Sequence, residues 1–320
     1  MMRTKRKAAA LVFPMAVALV AAVLLGASPA KAQAVRTFVS GQGADSGACA
    51  LASPCRSFAY AITQTAAGGE IAVLNTAGYG AVAIGQAISI VNPGGVEAGI
   101  SAVSGGTAIT INAGSSDTVA LRGLTLEGAG VGQTGIAFSG GARLEIIDCV
   151  VRDFTVYGIS VDTSSPPNPA TLSVLISRTF ALNSPGDGIL LQTGGPTTAS
   201  LDQVTTANNK FGIVVSGASA LVEALISDSH IDNNTTTGIY LIGESTGSGN
   251  VIVQNSTINQ TPTGISLNGY STLWLSNVTQ SAVPGITNTG IAESGTNNIV
   301  YSDGTSHFNL TFTPQPWGFQ

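Results

Sequence analysis

The sequence predicts an all-β solenoid, a parallel β-helix, and three observations carry that reading. A Gly-Ile pair recurs at a nearly even interval, each recurrence opens a short apolar alternation, and no interval holds the helically periodic stretch that a crossover helix would need. The pairs are Gly135-Ile136, Gly158-Ile159, Gly188-Ile189, Gly212-Ile213, Gly238-Ile239, Gly264-Ile265 and Gly290-Ile291, spaced by 23, 30, 24, 26, 26 and 26 residues. Alternation of period two puts successive side chains on opposite faces, as in a strand. A lone turn of strands cannot bury its apolar face. Stacked turns can, because each covers the next and their backbones pair along the stack.

The chain opens with Arg3, Lys5, Arg6 and Lys7, an apolar run from Ala8 to Ala27, and Ala30-Lys31-Ala32. That order is the pattern of a cleaved export signal, so residues 1–32 are expected to be removed and the protein to reach the periplasm, the cell surface or the medium. No later segment reaches the ~18 apolar residues of a membrane span.

Residues 33–69 read as an N-terminal cap. Cys49 and Cys55 are spaced for a short disulfide, which an exported compartment permits. Ser57 suits the N-cap of a short helix in FAYAITQTAA, with Gly68-Gly69 as its stop. Cys149 lies among Ile146, Ile147, Val150 and Val151, where a thiol packs as an apolar group.

Residues 70–300 read as the solenoid, with roughly nine coils. Each later repeat has a second strand, among them LEIIDCVV, LSVLISRT, ASLDQV and LVEALISDS, and then a polar bend with Asn183, Asn208-Asn209, Asp232-Asn233-Asn234 or Asn259-Gln260. Aligned on that strand, Cys149, Arg178, Gln203, Asp228, Asn255 and Asn277 share a column, and Asn255 is expected to belong to a buried hydrogen-bonded ladder. Residues 301–320 read as a C-terminal cap over the open edge, with Phe308, Leu310 and Phe312 ahead of Pro314, Pro316 and Trp317.

Asp, Glu, Lys and Arg make up only 9% of the chain, far below the roughly one quarter of an ordinary soluble domain. Loss of residues 1–32 removes five basic residues and no acidic one, leaving seven Lys and Arg against seventeen Asp and Glu. That balance excludes nucleic acid as a partner. No cofactor is indicated, and no His lies near the cysteines to suggest a metal site.

The stretch RTFVSGQGADSGACALASPCRSFAYAITQTAAGGEIAVLNTAGYGAVAI, followed by Asn- and Asp-rich Gly-Ile repeats, resembles the bacterial right-handed parallel β-helix proteins of the pectin lyase-like superfamily. The resemblance covers nearly the whole mature chain. It implies a right-handed coil and a polysaccharide or cell-envelope glycan as partner. It leaves activity open, because that superfamily includes lyases, hydrolases, epimerases and members without a known role.

A catalytic reading can be tested on the repeats. Polygalacturonase-like members place N-T-D-G, D-D and G-H-G at the Gly-Ile position of consecutive coils, because inverting hydrolysis needs a paired acid and base. Asp187-Gly188 matches the first, but Lys210-Phe211-Gly212 and Thr237-Gly238 stand where the others belong. Asp228, His230 and Asp232, with Lys210, form the one mixed-charge group of the repeats, and together with Asp187 they are the candidate catalytic residues.

Gly130 to Gly135 matches a dinucleotide-binding motif, yet strand-like sequence follows where a helix is required. Gly243-Glu-Ser245-Thr-Gly247 matches a nucleophile elbow in a loop rather than in a strand-to-helix turn. Tyr157 and Phe211 precede Gly-Ile pairs two coils apart with Asp187 between them, and Tyr240 follows on the next coil. With Lys210 they are the candidate sugar-binding residues if their rings face outward, and core residues if they turn inward. The expected function is therefore a non-catalytic glycan-binding or structural, adhesive element. The alternative is a polysaccharide lyase, hydrolase or epimerase.

Overall fold

The computed structural model describes residues 33–165, 170–243, 248–269, 271–280, 286–288, 291–294 and 299–300. The expected signal segment (1–32), the C-terminal cap (301–320) and Ser245 lie outside the described residues.

Among the described residues the strands form three parallel sheets of eleven, ten and nine strands. Each complete coil contributes one strand to each. In one coil Val222–Ser227 lies in the first sheet, His230–Asp232 in the second and Thr237–Gly243 in the third. The next coil repeats the order in register, with Leu225 beside Ile252, Ile231 beside Ile258 and Ile239 beside Ile265. The β-solenoid predicted from the repeats is the observed fold.

The core is a set of columns running along the helix axis. On the third sheet Ile109, Ile136, Ile159, Ile189, Ile213, Ile239 and Ile265 stack in register, all fully buried. The column continues to Ile286, which follows Gly285, whereas Ile291 pairs with Thr272 in the first sheet. The last Gly-Ile pair of the series is thus not Gly290-Ile291. The step from Ile265 to Ile286 is shorter than the interval extrapolated from its predecessors.

The glycines of these pairs also stack, and close approach explains them. A Cβ on Gly158 would lie 2.6 Å from the Gly188 carbonyl oxygen, one on Gly188 2.7 Å from that of Gly212, and one on Gly212 2.5 Å from that of Gly238. The next coil's backbone occupies the space a side chain would need.

From Asp148 onward the corner between the first and second sheets has one left-handed residue in each coil. Asp148, Arg178, Gln203, Asp228, Asn255 and Asn277 all have φ between 46° and 56°. Asp148, not Cys149, therefore heads the column, since Ile147 pairs with Ser177. A shift by one residue reverses the face: Cys149 points inward, and burial pushes its thiol up to about 11.

This column is exposed. Asn277 Nδ2 donates to Asn255 Oδ1 at 2.9 Å, and Arg178 binds Asp148 through Nε at 2.6 Å and a second nitrogen at 3.1 Å. Those hydrogen bonds from Arg178 hold Asp148 below the usual carboxylate range. Asn255 is not part of a buried ladder.

The buried ladder lies at the corner between the second and third sheets. There Asp153, Asn183, Asn208 and Asn233 are left-handed and bond to one another on the outside. The next residue in each coil faces inward. Asn209 Oδ1 accepts from Ser184 N at 2.9 Å, its Nδ2 donates to Ala181 O at 3.0 Å, and Asn234 Oδ1 accepts from Asn209 N at 3.1 Å.

From the coil of Arg143–Ile147 to that of Thr263–Gly269 these two corners keep nearly constant length. The third does not: it runs from Asp162 to Leu172 in one coil, from Thr193 to Thr197 in the next, and from Gly269 to Ser271 later. The uneven Gly-Ile intervals arise chiefly there.

At the N-terminal end Ala34–Val39 pairs in parallel with Thr65–Val73, so the segment read as cap also supplies the edge strand of the first sheet. Helix α1 spans Phe58–Gln64, with Ser57 Oγ accepting from Tyr60 N at 3.2 Å. It ends at Thr65, before Gly68-Gly69, because the chain enters the strand there and Thr65 Oγ1 donates to Ala61 O. Although burial acts against it, hydrogen bonds from Ser57 and Arg56 hold Asp45 below its ordinary range, which ties the cap loop to the helix start.

Cys49 and Cys55 form a disulfide with Cα atoms 4.8 Å apart. A loop this short removes little unfolded-chain entropy, so Cys49→Ser with Cys55→Ser should cost about 2 kcal/mol in denaturant unfolding. Thiol titration of the unreduced, unfolded parent should count one free thiol; three would disprove the bridge.

Candidate functional site

The outer face of the third sheet gathers the aromatic candidates. Register places Tyr157 beside Asp187 and Asp187 beside Phe211. A second outward column runs Ser160, Leu190, Val214, Tyr240, Ser266. The Phe211 and Tyr240 rings stack with centroids 5.4 Å apart and planes 25° from parallel, and Lys210 Nζ sits 5.2 Å from the Phe211 centroid.

Tyr157, Phe211 and Tyr240 are each half-buried and outside the hydrophobic core, so the inward alternative does not hold for them. Leu190 and Val214 are buried although they too lie outside that core. In register they connect Ser160 to Tyr240 along that column.

Asp187 stands in this apolar setting. Burial pushes its carboxyl up to about 6, against the opposing pull of the Lys210 ammonium. Burial, and then the charges of Asp187 and Asp162, raise the Tyr157 phenol. A group whose folded pKa lies above its unfolded value near 3.8 binds protons more readily in the native state, so the fold loses stability as pH rises through that window. Asp187→Asn should therefore raise stability at pH 7.5 by about 1 to 2 kcal/mol, less than the full shift implies because water still reaches the group. The gain should vanish near pH 4, and melts of parent and variant across this range check it.

The mixed-charge candidates are not brought together with Asp187. Asp228 is an exposed corner residue, and His230 and Asp232 lie on the second sheet. His230 Nδ1 is 2.8 Å from Thr257 Oγ1 of the next coil. Only Lys210 adjoins the third-sheet strip. Among the described residues no group of three or more His, Cys, Asp and Glu side chains could hold a metal ion, and no helix is long and apolar enough to cross a membrane.

Residues 71–277 match the family described as the right handed beta helix region. The chain belongs to the right-handed β-helix family. Membership fixes the hand of the coil. The crystal structure of pectate lyase Pel9A has the same fold, with a TM-score of 0.55, 11% identity, and coverage of 85% of this chain and 81% of that one. No curated protein matches the chain.

Two features of this β-helix chain went unread in its sequence. The Asn208-Asn209 and Asn233-Asn234 doublets place one residue outside and one inside, a signal legible only once the left-handed position is known. A shallow groove of about 320 Å³ at the second-to-third corner is lined by Glu127, Gly130, Asp153, Phe154, Asn183 and Pro185. Gly130, from the run that matched a dinucleotide motif, is a left-handed turn residue there.

Proposed function

We propose that this chain is an exported, non-catalytic glycan-binding β-helix whose contact strip is the outer face of the third sheet at Tyr157, Asp187, Lys210, Phe211 and Tyr240. The observation that carries the reading is the stacked Phe211-Tyr240 pair, partly exposed and outside the core. Tyr157 lies two coils from Phe211, about 9.6 Å along the axis. Partly exposed rings with a carboxylate and an ammonium between them offer a sugar chain both stacking and hydrogen bonding. Export rests on the basic, apolar and Ala-x-Ala order of residues 3–32.

The enzyme reading draws on Asp187, whose raised carboxyl suits a general acid. Its neighbours in register are Tyr157 and Phe211, with Thr237 beyond, so its own column offers no second carboxylate for paired acid-base hydrolysis.

A glycan array followed by affinity electrophoresis tests the proposal. Tyr157→Ala and Phe211→Ala should weaken retention while shifting the melting temperature little. Loss of stability in both, with no glycan retained by the parent, would leave a structural element. Product release from a retained polysaccharide, abolished in Asp187→Asn, would establish the enzyme instead.

A further inference from the structure

We infer that the ligand of this strip is a chain of neutral sugars rather than a polyuronate, its hydroxyls held by the Asp187 carboxylate and its C–H faces by Phe211 and Tyr240; the inference rests on the glycan-binding reading above. Asp187 is half-buried between two aromatic side chains in its column, and among the described residues no hydrogen bond or salt bridge reaches its carboxylate. A desolvated carboxylate without donors is an acceptor awaiting them, and adjacent hydroxyls of a pyranose supply two.

The charges around it select among sugars. Lys210 faces the strip from the corner ahead of Phe211, Tyr157 stands on the preceding coil, and Asp162 ends that coil's strand. A uronate would bring a carboxylate against Asp187 and Asp162 with only Lys210 to offset them, on a chain already rich in acid. A neutral sugar meets no such repulsion, and its hydroxyls can donate to the carboxylate through charge-assisted bonds.

Isothermal titration calorimetry of the protein with cellohexaose, mannohexaose and laminarihexaose, against hexagalacturonate, decides the matter. At least one neutral hexasaccharide should bind at pH 7.5, with hexagalacturonate tenfold weaker or more. Asp187→Asn should lose about tenfold in affinity for the neutral chain. Affinity should fall from pH 7.5 to pH 5 in the parent and stay level in Asp187→Asn, because the acceptor is the ionised form. Equal or tighter binding of hexagalacturonate overturns the ligand class and leaves glycan binding standing. An unchanged affinity in Asp187→Asn removes the carboxylate from the site. No heat with any oligosaccharide overturns the glycan reading and this inference with it.

Discussion

Gly188→Ala should destabilise the protein by on the order of 3 kcal/mol, although it adds a single methyl group. The new Cβ would meet the Gly212 carbonyl oxygen at 2.7 Å and Asn209 Nδ2 at 2.6 Å. The carbonyl cannot withdraw, since its coil is hydrogen-bonded in register on the neighbouring strand. Two stacked coils must separate or Asn209 must leave its place, and either loses hydrogen bonds. Chemical denaturation of parent and variant measures the cost. A loss below about 1 kcal/mol would mean that the coils slide apart freely and that the glycine column has some other cause.

Asn209→Ala should cost about 3 kcal/mol, the second large effect. Its side chain caps Ser184 N and Ala181 O and reaches Asn234 Oδ1, all within a corner that water does not enter. Truncation strands a buried donor and a buried acceptor in the preceding coil, each carrying a desolvation penalty of about 1 to 3 kcal/mol. Asn255→Ala is the matched control. Its side chain is exposed and water replaces its partner, so the change should stay within about 0.5 kcal/mol. Equal losses in the two variants would contradict the assignment of an inner and an outer ladder.

The contrast shows where reading the sequence stopped. Strand periodicity and the Gly-Ile interval exposed the solenoid, because stacking imposes the same pattern on every coil. Face assignment at a corner depends on which residue adopts the left-handed conformation. No alternation marks that residue, so Cys149 took the place of Asp148 and Asn255 that of Asn209. Gly290-Ile291 was chosen over Gly285-Ile286 by extrapolating an interval through a corner of variable length.

For the candidate site, the order Tyr157, Asp187, Phe211 across coils was legible from the repeat alignment. Two properties were not. Burial of Leu190 and Val214 on an outward column runs against the strand alternation, and neither it nor the desolvation that raises Asp187 leaves a mark in the repeat pattern. Asp228, His230 and Asp232 looked like companions of Lys210 from their proximity in the sequence, yet the corner places them on another sheet.

The variable corner between the third sheet and the first makes this fold a natural display scaffold. Lengthening a loop adds closure cost slowly, roughly 0.6 kcal/mol for each doubling, while the strands on either side keep their register. A foreign peptide placed between Gly217 and Val222 would leave the glycine column and both asparagine ladders in place. Peptides inserted at the same corner of successive coils would emerge on one side of the solenoid at intervals of about 4.8 Å, a pitch set by the backbone hydrogen bonds and independent of what is inserted.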